Sequence, residues 1–143
     1  MRHATKIPHL IIATTLMLAG ASMGLAQGTT MPGMLAGSEW RVDSIGSVGV
    51  GADSRASIAI AADGALSGSG GCNRLMGRAD IKGEALTFTP LATTRVACAP
   101  DIMQEERKLL DALQATRSYR LEGAALTLRD VSGAELMRLA RRG

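Results

Sequence analysis

The chain has 143 residues, 46% hydrophobic and 20% charged, with a formal net charge of +3 and with Trp, Tyr and Phe present once each. The length suits one domain. So few stacking rings and so small a charge excess exclude the basic, ring-studded surface that reads nucleic acid, and none is expected to bind.

The N-terminus reads MRHATKIPHLIIATTLMLAGASMGLAQG. Arg2 and Lys6 give a positive start, Leu10 to Ala19 form an apolar run, and Gly24-Leu25-Ala26 place small residues where signal peptidase cuts. Residues 1–26 are therefore expected to be a signal peptide, cleaved after Ala26, with 27–34 a flexible start to the mature protein. The competing reading is a membrane anchor, but the run is shorter than the roughly 20 apolar residues that span a bilayer. No stable membrane insertion is expected after cleavage, and the address is periplasmic or secreted. Cleavage also removes both histidines, His3 and His9, and brings the charge close to neutral.

From residue 35 onward the pattern is short strands punctuated by glycine. Trp40 and Val42 alternate with Glu39 and Arg41, and Ile58 and Ile60 share a face, as period-two burial requires. Ala62-Asp63-Gly64 is a turn, and the stretch SGSGGCNRLMG at 67–77 follows it. A further strand comes next, then a Lys82-Gly83-Glu84 turn and a strand carrying Leu86 and Phe88. The run PDIMQEERKLLDALQATR at 100–117 breaks this pattern. Ile102, Glu106, Leu109, Leu110 and Leu113 fall at helical spacing, with only Glu106 out of place, and Asp101 with Gln104 reads as a capping box. The leucine stripe is expected to be core rather than a partner face. Tyr119 with Leu121, and Leu126 with Leu128, make two more strands around the Glu122-Gly123 turn, and Ser132-Gly133 precedes the last. Arg138, Arg141 and Arg142 sit near the end, where 140–143 read as a solvated basic tail. The expected fold is α+β: a small, mostly antiparallel, barrel-like sheet with one amphipathic helix packed on it.

The glycine-rich stretch fits neither nucleotide loop. The pattern G-x-x-x-x-G-K-[ST] is absent, and Asn73 stands where G-x-G-x-x-G needs its third glycine. A cysteine nucleophile needs a base, and the mature chain has no histidine to serve as one; Arg74 or Arg95 could lower a thiol pKa without accepting the proton. Two cysteines without histidine fall short of a zinc set. No cofactor and no metal are expected. Cys72 and Cys98 are the only cysteines, and an even count in an oxidising compartment predicts a disulfide. Closing that loop stabilises the fold by roughly 3.5 kcal/mol in the chain-entropy model.

At these residues the chain resembles the META domain, the HslJ-like family of bacterial envelope proteins. GSGGCNRLMG, LTFTPLATTRVACAP, the helix and YRLEGAALTLRDVSGAELMRL carry the likeness over 35–139, most specifically Gly71-Cys72-Asn73-Arg74 and Thr94-Arg95-Val96-Ala97-Cys98. Val96 stands where members often carry methionine. Some members are lipoproteins, and this chain lacks the lipidation cysteine. The resemblance implies a compact α+β domain from a family linked to heat shock and envelope stress, with no established catalytic activity. It also implies a polar cluster of Asn73, Arg74, Thr94 and Arg95 beside the cysteines. Asn73 and Thr94 are expected to satisfy backbone groups at the loop ends. Arg95 is expected to be buried beside the bridge and to clamp the loops, in preference to presenting its fork to an anionic ligand. The functional expectation is a monomeric, non-enzymatic envelope domain, stress-related, with an envelope protein or small ligand as partner. The alternative is a thiol-linked redox activity of Cys72 or Cys98.

Overall fold

The computed structural model describes residues 35–143. The expected signal peptide at 1–26 and the connecting residues 27–34 lie outside them. In chain order the elements are β1 (Ser38–Ile45), β2 (Val48–Gly49), β3 (Ser57–Ile60), β4 (Ala65–Ser69), β5 (Arg74–Lys82), β6 (Ala85–Phe88) and β7 (Ala92–Thr93). Helix α1 (Pro100–Ala115) follows, then β8 (Ser118–Glu122), β9 (Ala125–Arg129) and β10 (Glu135–Arg141).

All strand pairings are antiparallel, in the order β10-β9-β8-β6-β5-β4-β3-β1-β2, and β10 also pairs with β1, so the sheet closes into a ring. It is barrel-like without being a strict barrel. At one seam β6 meets β8 through a single register pair, Ala85 with Ser118, flanked by Leu86 N–H to Arg117 C=O at 3.0 Å and Tyr119 N–H to Glu84 C=O at 3.1 Å. The short β7 pairs with β5 off this path. Closure leaves each main strand of the ring a neighbour on both sides, which removes the open edges of a flat sheet.

Alternation decides what faces inward. Trp40 and Val42 of β1, Ile58 and Ile60 of β3, Leu86 and Phe88 of β6, and Leu126 and Leu128 of β9 are all buried, while Glu39 and Arg41 face out. In β10 a register shift between Glu135 and Met137 sets the phase that turns Met137 and Leu139 inward. The turns use the glycines as expected: Gly64, Gly83, Gly123 and Gly133 all have positive φ. At the β9–β10 turn, Asp130 accepts from the Ser132 hydroxyl and from the amides of Ser132 and Ala134. The Ser132 hydroxyl and the backbone donors hold this carboxyl below its ordinary value.

Helix α1 packs against β1, β6 and β10, burying Leu109, Ala112 and Leu113, with Glu106 buried on the same side. Its start differs from the capping box expected at Asp101 and Gln104. The N-cap is Ala99, which has no capping side chain, and Pro100 opens the first turn with Asp101 inside it. Proline fixes φ near the helical value and lacks the N–H that would go unpaired there, so the helix begins two residues earlier than that box implies, at Pro100. Ile102, expected on the apolar stripe, lies at the helix start and is exposed.

The basic end expected over 140–143 is drawn into the sheet. Ala140 and Arg141 pair with Arg41 and Trp40 of β1, and the Arg141 guanidinium sits 4.7 Å from the Trp40 ring centroid. The ring face attracts the cation, and the backbone ladder holds it there. Beneath this pair the Trp40 indole N–H donates to Ser38 Oγ at 2.7 Å, and Ser38 in turn donates to the carbonyl of the fully buried Leu35.

Leu113→Ala is expected to lower stability by about 2–5 kcal/mol, because a fully buried leucine leaves a cavity that the ring cannot fill. Urea unfolding of the variant measures it, and an unchanged midpoint would mean that the helix contributes nothing to the core.

Candidate functional site

Four segments converge beside the mouth of the ring: the β4–β5 hairpin turn, the 94–99 connection after β7, the first half of α1, and the loop before β3. Cys72 and Cys98 join the first two in a disulfide with Cα atoms 6.1 Å apart, within the usual range of about 4.4–6.8 Å.

Asn73 is the hub. It is only 3% exposed. Its backbone N–H donates to Glu106 Oε2 at 2.6 Å and its Nδ2 to Glu106 Oε1 at 2.7 Å, so one residue grips both oxygens of the carboxylate. The second Nδ2 hydrogen reaches the Val96 carbonyl at 3.2 Å. On the other side, Oδ1 accepts from Val96 N–H at 2.6 Å and from the Thr94 hydroxyl at 2.9 Å. The Asn73 carbonyl receives Gly70 N–H at 2.9 Å. Two donors and two lone pairs are the whole capacity of an amide side chain, and all are used. This also fixes its orientation, because a flipped amide would set Nδ2 against Val96 N–H.

Thr94 continues the network. Its Oγ1 accepts from Arg74 N–H at 3.0 Å, and its own N–H donates to the Arg74 carbonyl at 3.1 Å. The glycines of the turn have separate duties. A Cβ at Gly70 would lie 2.4 Å from Glu106 Cγ, so the absent side chain is what admits the carboxylate. Gly71 has φ of 109°, a conformation that side chains disfavour.

Glu106 is the residue that sequence reasoning set aside. It is 5% exposed and takes part in none of the ion pairs among the described residues; its charge is met by the two donors of Asn73. The signal was present as one acid on an otherwise apolar helical stripe. The neighbouring Glu105 faces the loop before β3, where it accepts from Ser54 Oγ. A pocket lies there, lined in part by Asp53, Ser54, Arg55, Gly71, Ile102 and Glu105.

The two arginines stand apart from this network. Arg74 and Arg95 are both exposed, and among the described residues neither guanidinium makes a hydrogen bond or ion pair. The burial expected for Arg95 is therefore not observed. Its segment, residues 94–99, is exposed throughout, and the clamping is done by Asn73, Thr94 and Glu106. No buried side-chain nitrogen or oxygen among the described residues lacks a partner. No group of three or more His, Cys, Asp or Glu among them could hold a metal ion, and no helix among them is long and apolar enough to cross a membrane.

A closed antiparallel ring with one helix, pinned by a single bridge next to a buried amide–carboxylate junction, defines a small α+β domain. The chain belongs to the META domain family, whose model matches residues 33–143. A protein solved by NMR is 24% identical and superposes with a TM-score of 0.63, covering 77% of this chain and 93% of its own. A Burkholderia xenovorans protein, also solved by NMR, is 26% identical with a TM-score of 0.59, covering 76% of this chain and 84% of its own. The crystal structure of a DUF4847 family protein from Bacteroides vulgatus ATCC 8482 shares the fold at 16% identity, with a TM-score of 0.55 over 75% of this chain and 94% of its own. No curated protein matches the chain.

Glu106→Gln keeps the shape of the side chain but turns one acceptor into a donor facing Asn73. It is expected to cost about 1–3 kcal/mol in urea unfolding, and wild-type stability in this variant would remove the junction from its central place. Arg74→Lys and Arg95→Lys are expected to melt like the parent, within about 0.5 kcal/mol. A large drop for Arg95→Lys, followed by differential scanning calorimetry, would restore it as a clamp.

Proposed function

We propose that this protein is an exported, non-enzymatic envelope domain with a stress-related structural or interaction role. The observation that carries this reading is membership of the META domain family over nearly the whole described chain, and the Cys72–Cys98 bridge, which suits an oxidising compartment, supports it. Asn73 and Thr94, two members of the candidate polar cluster, spend their hydrogen bonds on the scaffold. Arg74 and Arg95 face outward beside the bridge and are the donors we propose for contact with an anionic group on an envelope partner or small ligand.

Expression of the full chain in a Gram-negative host, followed by osmotic shock and intact-mass measurement before and after alkylation, tests the reading. The expected product is released by the shock, starts after Ala26 and takes up no alkylating reagent without reductant. An uncleaved cytoplasmic protein, or two thiols that alkylate in the native state, would reject export and favour the thiol-linked alternative. The stress role is tested by heat challenge of a strain lacking the gene: rescue by the wild-type chain is expected, and equal survival without it would reject that part.

A further inference from the structure

The bridge is not the only tie at the junction, and it is the most accessible one. Residues 94–99 have no regular structure and are all exposed, Cys98 included, whereas Cys72 is only partly exposed. On one side of the bridge, Thr94 and Val96 are held to the β4–β5 hairpin by Thr94 N–H to the Arg74 carbonyl and Val96 N–H to Asn73 Oδ1. On the other side, α1 is anchored by Glu106 on Asn73 and by the buried Leu109 and Leu113. Opening the disulfide therefore frees only the short stretch between Val96 and Pro100, and the ring keeps every pairing it has. The reduced form is also accommodated at Cys72. Its Sγ lies 3.4 Å from the Val96 carbonyl oxygen, so a thiol there has an acceptor already in place.

We infer that the Cys72–Cys98 bridge is a reversible modification site: a dithiol reductant of the thioredoxin type opens it on the folded domain, attacking at Cys98. The reductant's thiolate bonds to Cys98 Sγ, the Cys72–Cys98 bond breaks, and Cys72 leaves as a thiolate that takes a proton from water. The reductant's second thiolate then attacks its own sulfur in the mixed disulfide and releases Cys98, which is protonated in turn. Two electrons pass from the dithiol to the bridge, leaving the reductant as a disulfide. Access selects the sulfur, since Cys98 is the more exposed of the two. The protein is then the substrate of a thiol–disulfide exchange partner, a role separate from any redox catalysis of its own. The inference rests on the bridge and its exposure and does not depend on the export route.

The test uses the oxidised mature protein in native buffer with two probes. With dithiothreitol, quenched by alkylation and read by mass, reduction is expected to be proportional to reductant concentration and about tenfold or more faster than global unfolding. Amide protection of the ring strands and α1 should persist in the reduced protein. With a thioredoxin-type reductase whose resolving cysteine is replaced by serine, the trapped adduct should map to Cys98. A reduction rate that levels off at the unfolding rate, loss of strand protection on reduction, or an adduct on Cys72 would each overturn the inference.

Discussion

The grip of Asn73 on the Glu106 carboxylate is the interaction on which the arrangement beside the ring depends. A carboxylate taken out of water is costly unless its oxygens are hydrogen-bonded, and here both are met by one residue, through its backbone N–H and its side-chain amide. A buried hydrogen bond to a charged group contributes about 1.5–3 kcal/mol. The chain-entropy contribution of the bridge is comparable, at roughly 3.5 kcal/mol. The junction and the disulfide are therefore two clamps of similar strength on the β4–β5 turn, the first tying it to α1 away from solvent and the second tying it to the exposed 94–99 connection.

Because the carboxylate needs room, the turn that faces it is constrained. Gly70 has no side chain to collide with Glu106, and Gly71 adopts a conformation few other residues tolerate. Asn73 must be an amide: an aspartate would face Glu106 with like charge, and an aliphatic residue would leave Val96 N–H and Glu106 Oε1 without their partners, although the backbone N–H would still meet Oε2. The glycine-rich stretch, which matches no nucleotide loop, is thus a socket for the protein's own helix. The chemistry of this amide and carboxylate is spent inward, and what faces solvent around it is the bridge, two guanidiniums and Val96.

The ring explains how so small a domain buries its apolar side chains with so few aromatics. Trp40 anchors the closure between β1 and β10, covered by Arg141 and tied through Ser38 to Leu35. The seam between β6 and β8 is thin in backbone bonds, and α1 packs against β6 on one side of it. The same architecture is seen in two NMR structures and in a crystal structure of low sequence identity, as expected when ring closure and alternation, rather than particular side chains, define the fold.

The sequence by itself determined the local elements. Period-two alternation at Trp40, Val42, Ile58, Ile60, Leu86, Phe88, Leu126 and Leu128 marked inward faces that are buried, and the glycines after Asp63, Lys82, Glu122 and Ser132 marked turns with positive φ. These follow from steric and solvation rules that act within a few residues, so they can be read along the chain. Cysteine parity, together with the export expected from the N-terminal residues, was enough to predict the bridge, since only one pairing was possible. Tertiary structure alone decided the rest. It brought Asn73 to Glu106 across 33 positions, set Arg95 on the surface, began the helix at Pro100, and carried the last strand through Arg141. Glu106 looked misplaced because hydropathy scores a residue without its partner, and the partner that makes burial of a carboxylate favourable is supplied only when distant segments meet.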